Sequence, residues 1–497
     1  MLSPPICIRK SAPEGHSGCS KFDGLNAYRI ENIESPTVNG NNTVLIPTMK
    51  NAPFRKVLIA NRGEIALRVI RACHELGIRT VAVHSTADSQ ALHVKLAHES
   101  VCIGPPPASD SYLNITAIIS AAAATGAEAI HPGYGFLSEN ASFAEICNQC
   151  GITFIGPTVR NMRLMGDKAV ARKLAMKYGI PVIPGSEDAG TDARKALAEA
   201  ERLGFPVLIK ASAGGGGRGM KIVEDPASFV RLFEQSRREV EQAFNDPNLY
   251  VEKFVKNPRH VEVQIIGDKC KNVIHLGERD CSIQRRYQKI IEECPAINLK
   301  PETISSMHEA ALTLARAINY ASVGTIEFLV DTSSEEFYFI EMNTRLQVEH
   351  PVSEMVTLYD IVKEQIWVAL GREVSINQSD VRMQGHAIEA RINAEDPFTQ
   401  MPCPGLVTAY HPPGGPGIRV DSALYDNYSV PPYYDSLIAK ILARGQTREE
   451  AIQKMLVALD ECIIDGIKTN MDLHRRVLKH PDFIQGKVHT NLLASII

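Results

Sequence analysis

Two glutamates can be set face to face by the sequence itself. Thr325-Ile326-Glu327-Phe328-Leu329-Val330 and Phe337-Tyr338-Phe339-Ile340-Glu341-Met342 are apolar-rich runs separated by the polar segment Asp331-Thr332-Ser333-Ser334-Glu335-Glu336. The pattern predicts an antiparallel hairpin centred near Ser334. Glu327 and Glu341 each stand seven residues from that centre, so they are expected opposite each other, ~5 Å apart at Cα. Opposed carboxylates repel unless a cation lies between them or they share a proton. Magnesium suits such an all-oxygen pair, with water and substrate phosphates completing its shell.

If the second strand stays extended, Glu341, Asn343, Arg345, Gln347 and Glu349 share one face, and Met342, Thr344, Leu346 and Val348 the other. A merely wet face would carry Lys, Thr and Glu without order. This one orders carboxylate, amide, guanidinium, amide and carboxylate, which favours function.

A second signal is an apolar strand, Val207 to Ala211, running into Ser212-Ala213-Gly214-Gly215-Gly216-Gly217-Arg218-Gly219 and then a short strand, Lys221 to Val223. Backbone N–H groups without side chains can close on phosphate oxygens. The run is not the G-x-x-x-x-G-K-[ST] loop. A bare glycine run would read as a flexible hairpin; Lys210 at the strand end favours phosphate binding. His260, Glu262 and Gln264 alternate with Val261, Val263 and Ile265. Arg279 to Lys289 brings four cations, Arg279, Arg285, Arg286 and Lys289, and reads equally as an anion holder or a solvated loop. Three tempting signals are discounted. Cys147-x-x-Cys150 has no second pair and reads as a packed cysteine pair rather than zinc. Ala175-Met176-Lys177-Tyr178 lies in a helical pattern, not at the hairpin tip of a biotinylated domain. Cys281 beside Asp280 reads as a packed thiol.

These residues need elements to hold them. Val57 to Ala60 reads as a buried strand, Asn61-Arg62-Gly63 as a turn, and Ile65, Val69, Ala72 and Leu76 as one helix face stopped by Gly77. Thr80 to Val83 is a second strand, and the β-α-β alternation predicts a parallel sheet. The turn lacks G-x-G-x-x-G, and it is given no catalytic role. A second region, about Lys168 to Gly371, mixes strands (Val207 to Ala211, Val261 to Ile266, Thr325 to Val330, Phe337 to Met342) with helices (Ala227 to Ala243, Ile304 to Ile318). A third, turn-rich region starts near Gly385 and carries a helix from Arg448 to Leu459.

Composition sets outer bounds. A chain of 497 residues implies about three domains. With 44% hydrophobic and 22% charged residues it is not a disordered or collagen-like chain. A net charge of −4 gives no basic excess for nucleic acid. The longest apolar stretch, Ile115 to Ile130, is broken by Thr, Ser and Gly, so no membrane span is expected. The eleven cysteines are scattered and odd in number, which fits reduced thiols. Residues 1–50 are rich in Ser, Pro, Gly and Asn and lack both an apolar signal core and the acid-poor character of a transit peptide.

From about Phe54 to the end, the chain resembles biotin carboxylase, an ATP-grasp ligase, including the stand-alone subunit of bacterial and plastid acetyl-CoA carboxylase. The runs that carry the likeness are Ile59-Ala60-Asn61-Arg62-Gly63-Glu64-Ile65-Ala66, His131-Pro132-Gly133-Tyr134-Gly135-Phe136-Leu137-Ser138-Glu139-Asn140, the glycine loop, Glu278 to Arg286, Phe339 to Pro351, and Arg391-Ile392-Asn393-Ala394-Glu395-Asp396-Pro397. The resemblance implies an α/β ATP-grasp enzyme: an N-terminal parallel-sheet, Rossmann-like domain over 54–167, an ATP-grasp domain with a mobile lid over 168–376, and a C-terminal α+β domain over 385–497, while composition marks 1–53 as a disordered leader. It implies that Lys168, Lys210, Gly216, Gly217, Glu252, Lys253, Phe254, Val255 and His260 hold ATP, with Glu327 and Glu341 beside it. Tyr287 stands where some relatives have a nucleotide-contacting His. Glu327, Glu341 and Asn343 would hold two magnesium or manganese ions. Lys289, Arg345, Gln347 and Val348 would hold bicarbonate, Glu349 would deprotonate it, and Arg391 would hold the biotin ureido oxygen; Arg345, Glu349, Lys289 and Arg391 are thus the catalytic set.

Further implications are carboxyphosphate as intermediate, biotin on a separate carrier protein rather than on this chain, carboxyltransferase subunits of acetyl-CoA carboxylase as partners, and a homodimer. Arg71 and Glu75 would lie toward its interface, where Pro416 replaces an aromatic, and Leu346 replaces the more usual Ile. A cytoplasmic location is expected, or a plastid one if the leader is cleaved on import. Three alternatives stand beside this reading. A carbamoyl-phosphate-forming ligase would lack the Arg345-to-Glu349 run. A non-catalytic nucleotide-binding regulator would be free to lose Glu349 or Arg391. The subunit could also serve a pyruvate or propionyl-CoA carboxylase.

Overall fold

The computed structural model describes residues 8–9, 52–186, 190–211, 220–244 and 247–496. Most of the leader and the glycine loop, with Gly216 and Gly217, lie outside the described residues.

The N-terminal region is the expected β-α-β unit. Apolar strands Lys56–Ile59, Arg79–Ser85, Glu99–Gly104, Ala129–His131 and Thr153–Phe154 pair in parallel, and Ile8–Arg9 adds antiparallel to the Glu99–Gly104 edge. Helix Gly63–Glu75 buries Ile65, Ala66, Val69, Ile70, Ala72 and Cys73 against it. Asn61 fixes the turn between: its amide donates to the carbonyls of Pro132 and Tyr134, both at 2.7 Å. Gly133, at φ +63, must be a glycine, because a Cβ there would lie 2.9 Å from the Asn61 amide nitrogen.

An eight-stranded antiparallel sheet forms the centre. Its order is Phe337–Asn343, Ser322–Val330, Arg259–Gly267, Val273–Arg285, Gln288–Cys294, His386–Asn393, Leu437–Gly445 and Ile418–Ser422. The sheet therefore runs without a break from the Glu327–Glu341 hairpin to the strand bearing Arg391. Helix Pro301–Ala317 covers part of one face through Met307, Ala311, Leu314 and Ala315, and helix Arg448–Glu461 covers the far end through Ala451, Met455 and Leu459. A separate three-stranded sheet, Lys221–Val223, Val207–Ala211 and Leu249–Lys253, packs its own core of Val207, Ile209, Val251, Phe229 and Phe233 under helices Ala193–Leu203 and Pro226–Phe244. No described helix is long and apolar enough to cross a membrane.

Three expectations are corrected. Val330 pairs with Phe337 and Phe328 with Phe339, so the hairpin turns just before Ser334. Unbroken, that register would put Ile340 opposite Glu327; a bulge between Glu327 and Phe328 absorbs one residue and restores the Glu327–Glu341 pair. The strand does not stay extended to Glu349: it ends at Asn343, and Glu349 caps helix His350–Thr357. Arg279 is in no loop; it lies fully buried in the central strand Val273–Arg285.

Candidate active site

A cleft of about 550 Å³ opens between the N-terminal turns and the large sheet. His260, Tyr287, Lys289, Glu327, Glu341, Asn343, Arg345, Gln347, Val348, Glu349 and Arg391 line it. The strand register explains why. Glu262 and Glu341 flank Glu327 on neighbouring strands, while Lys289 reaches in from Gln288–Cys294.

Lys289 is the hub. Its ammonium contacts Glu262 at 2.5 Å, Glu349 at 2.6 Å and Glu327 at 3.0 Å. Burial disfavours its charge, but three carboxylates outweigh burial and hold its pKa well above the ordinary lysine value. Burial also opposes ionisation of Glu327, yet Lys289 and His260 hold it well below the usual carboxylate range. Lys289, Asn343 and Gln347 all donate to one Glu327 oxygen, and His260 Nε2 lies 3.0 Å from the other. Glu341 is half-buried and pairs with the exposed Lys168 at 2.9 Å. Glu327, Glu341 and the Asn343 carbonyl offer an all-oxygen set at the cleft wall, which fits a hard divalent cation.

Glu349, 2% exposed, is gripped at both ends, by Lys289 and by Arg391 Nη2 at 2.9 Å. Burial is opposed by Lys289, Arg391 and Arg279, and the carboxyl titrates well below its usual range. Arg345 is freer. Its side chain stays 22% exposed, donating to Asn343 Oδ1 at 2.8 Å and lying 3.1 Å from Glu139.

Residues outside the expected set complete the site. Arg279 donates to Glu262, Gln264, Ser353, Thr325 and Gln347, so it sets the orientation of Gln347, which in turn donates to Glu327. Asn61, Arg62, Glu64, Tyr134, Asn393, Tyr434 and Asp435 also line the cleft. Asn61, Arg62 and Glu64 sit in the run Ile59 to Ala66, whose turn was given no catalytic role, Tyr134 in His131 to Asn140 and Asn393 in Arg391 to Pro397; the signal was present but carried no polar pattern of its own. Lys440, fully buried, donates to the Val348 carbonyl at 2.9 Å and pairs with Glu64 at 3.1 Å. Cys281 is buried, its thiol pushed well up by burial, as the packed-thiol reading expected.

Other expected residues stand apart. Lys210 and Glu252 pair at 2.6 Å on the three-stranded sheet, Lys253 ends that strand, and Phe254 and Val255 follow it; none lines the cleft. Tyr287, by contrast, lines the cleft mouth from the tip of the hairpin into Gln288–Cys294 and is 80% exposed.

Successive segments match "Biotin carboxylase, N-terminal domain" over residues 53–162, "Carbamoyl-phosphate synthase L chain, ATP binding domain" over 167–377 and "Biotin carboxylase C-terminal domain" over 389–495. A biotin carboxylase of Nostoc sp. is 54% identical over 441 residues, covering 88% of this chain and 98% of the relative. The chain belongs to the biotin carboxylase family. It is an ATP-dependent ligase that carboxylates biotin. A chloroplastic biotin carboxylase of Arabidopsis thaliana is 52% identical over 88% of this chain and 81% of its own length. Among solved structures, the biotin carboxylase domain dimer of Hydrogenobacter thermophilus 2-oxoglutarate carboxylase, in complex with MgADP, ADP and bicarbonate, matches 89% of this chain and 97% of its own at 49% identity and a TM-score of 0.82. Within this biotin carboxylase, Glu349 is the residue that touches both Lys289 and Arg391.

Proposed function

We propose that this cleft runs two reactions in sequence, bicarbonate activation by ATP and carboxylation of biotin, with Glu349 at the join. The carrying observation is that one buried carboxylate is shared by Lys289 and Arg391.

Lys168, Lys210, Glu252, Lys253, Phe254, Val255, His260 and Tyr287, with the Gly216 and Gly217 amides, hold ATP. The three-stranded sheet has its own core and so acts as a lid that closes over the cleft. Magnesium, or manganese, on Glu327, Glu341 and Asn343 would neutralise phosphate charge when bound. Arg345, with Gln347 and the Val348 backbone, grips planar bicarbonate through parallel N–H bonds. As it stands, Glu349 is a poor base, because two cations keep it ionised. A bicarbonate anion that draws Lys289 toward itself raises the basicity of Glu349, which then takes the bicarbonate proton. Arg391 stabilises the negative charge that develops on the ureido oxygen of biotin.

The biotin arrives on a separate carrier protein, and the enzyme works as a homodimer in the cytoplasm, or in a plastid as its Arabidopsis relative does. The complex served is acetyl-CoA carboxylase, with its carboxyltransferase subunits. A keto-acid carboxylase, pyruvate carboxylase included, is the second reading, supported by the 49% identity to the Hydrogenobacter domain. Incubation with ATP, labelled bicarbonate and free biotin should give bicarbonate-dependent ADP release and acid-labile fixed label; neither product with divalent metal present would refute the reading. Capture on this chain of a biotinylated carrier from the acetyl-CoA or from a keto-acid system separates the two complexes.

A further inference from the structure

Behind Arg391 the sheet holds two carboxylates with no part in the chemistry above. Strands Gln288–Cys294 and His386–Asn393 are antiparallel, and their register sets Glu292 directly opposite Glu389. Alternation puts Glu389 and Arg391 on the same face. Cross-strand partners have Cβ atoms about 5 Å apart. Both glutamates are 0% exposed. One Glu292 oxygen accepts from Arg391 Nε at 2.5 Å. The other Glu292 oxygen and both Glu389 oxygens have no hydrogen-bond partner among the described residues.

The charges nearby are already committed. On the next strand, Lys440 pairs with Glu64, bonds the Val348 carbonyl and lies 3.8 Å from Asp421. Glu64 also accepts from Tyr134. On the covering helix and its cap, Glu349 holds Arg391, Glu354 is held by Arg68 and Arg419, and His350 is kept neutral by burial. His386, Glu293 and Arg448 form their own network on the opposite face. Lys440 and Arg391 attract an ionised Glu389 from a distance, but full burial, the lack of any hydrogen bond among the described residues and the carboxylates of Glu292 and Glu349 outweigh them, so Glu389 keeps its proton. In line with this, burial pushes Glu292 up to about 7 and Glu389 well above the ordinary range.

We propose that Glu292 and Glu389 hold a single proton between them and that this carboxyl pair is a positioning element for Arg391. The proposal rests on the role given to Arg391 above. With the proton in place, Glu292 holds the Nε–Nη2 edge of the guanidinium, and Nη2 also reaches Glu349 in the cleft. When the proton leaves to solvent at high pH, a second negative charge draws the guanidinium back toward the strands. Biotin carboxylation should then fall at high pH while bicarbonate-dependent ATP cleavage continues.

Infrared spectra of the full chain, with and without carbon-13-labelled glutamate, test this. A protonated-carboxyl band that shifts with the label is expected at neutral pH, fading over the pH range in which carboxylation declines. Glu389→Gln should remove the band and move that decline, and Glu292→Gln should lower carboxylation on the order of 10-fold while sparing ATP cleavage. Absence of the band in the wild-type chain overturns the proposal even if neither variant folds. So does a band that titrates apart from the decline, or a Glu389→Gln variant whose band and pH profile match the wild type. Failure of the Arg391 role itself looks different: Arg391→Ala would depress both rates equally and leave the band in place.

Discussion

The Arg391 guanidinium lies 2.9 Å from the Glu349 carboxylate, across 42 residues of chain. This contact joins the proposed biotin end of the cleft to the proposed bicarbonate end. It also means that the two residues can be told apart only by measuring both reactions.

Arg391→Ala is expected to reduce biotin carboxylation by ~10²–10³, the scale of losing one oxyanion donor, and to spare much of the bicarbonate-dependent ATP cleavage. Glu349→Gln should depress both rates together. ADP release and fixed label from one reaction mixture give the comparison. Intact ATP cleavage in Glu349→Gln would move the base to another group, with Lys289 next in line.

Glu341→Gln should raise the divalent-ion concentration needed for half-maximal rate by ~10–100-fold, the range seen when a ligand's support is lost. Glu327 keeps Lys289, Asn343 and Gln347 as donors, so the fold should survive the change. A magnesium titration that overlays the wild type would assign the pair a purely structural role.

Arg279→Met should destabilise the protein by about 3–5 kcal/mol, because Glu262 would lose its Arg279 partner in a fully buried site. Urea unfolding midpoints measure this. A loss below about 1 kcal/mol would mean that Lys289 alone satisfies Glu262.

Acid should weaken the fold through histidines buried in neutral form. Burial lowers His131 to about 3, and His93 and His474 to about 4, from 6.5. Below pH 6.5 the unfolded chain binds protons that the native state refuses, so stability falls as pH falls toward those values, by up to about 1.4 kcal/mol per pH unit per histidine. His93→Gln should shallow the slope of unfolding free energy against pH between 6.5 and 4, and an unchanged slope would contradict the assignment.

Much of this site could be read from spacing. The facing of Glu327 and Glu341 follows from their distances to the turn, although the structure reaches it through a bulge that no periodicity reveals. The order Glu341, Asn343, Arg345, Gln347, Glu349 pointed to the right wall of the cleft, but the strand ends at Asn343 and a helix begins at His350, with Leu346 and Val352 buried in two different cores on either side of Glu349. Arg279 was ambiguous because charge alone does not tell a loop from a buried strand; its partners Glu262, Thr325 and Gln347 come from elements far away in sequence. Lys440 and Tyr434 had no local signal of their own, since their place depends on how the N-terminal turns meet the last strands.

The unbroken sheet from the Glu327 hairpin to the Arg391 strand has a consequence for how the enzyme fails. Glu327, Glu341 and Arg391 are stitched into one ladder of backbone hydrogen bonds, so they belong to a single cooperative unit. Amides of Ser322–Val330 and of His386–Asn393 should exchange with solvent deuterium by the same rare global opening, while those of Val207–Ala211 on the smaller sheet exchange sooner. Heat or denaturant would then loosen the three-stranded sheet first, and both half-reactions would be lost together only when the large sheet parts.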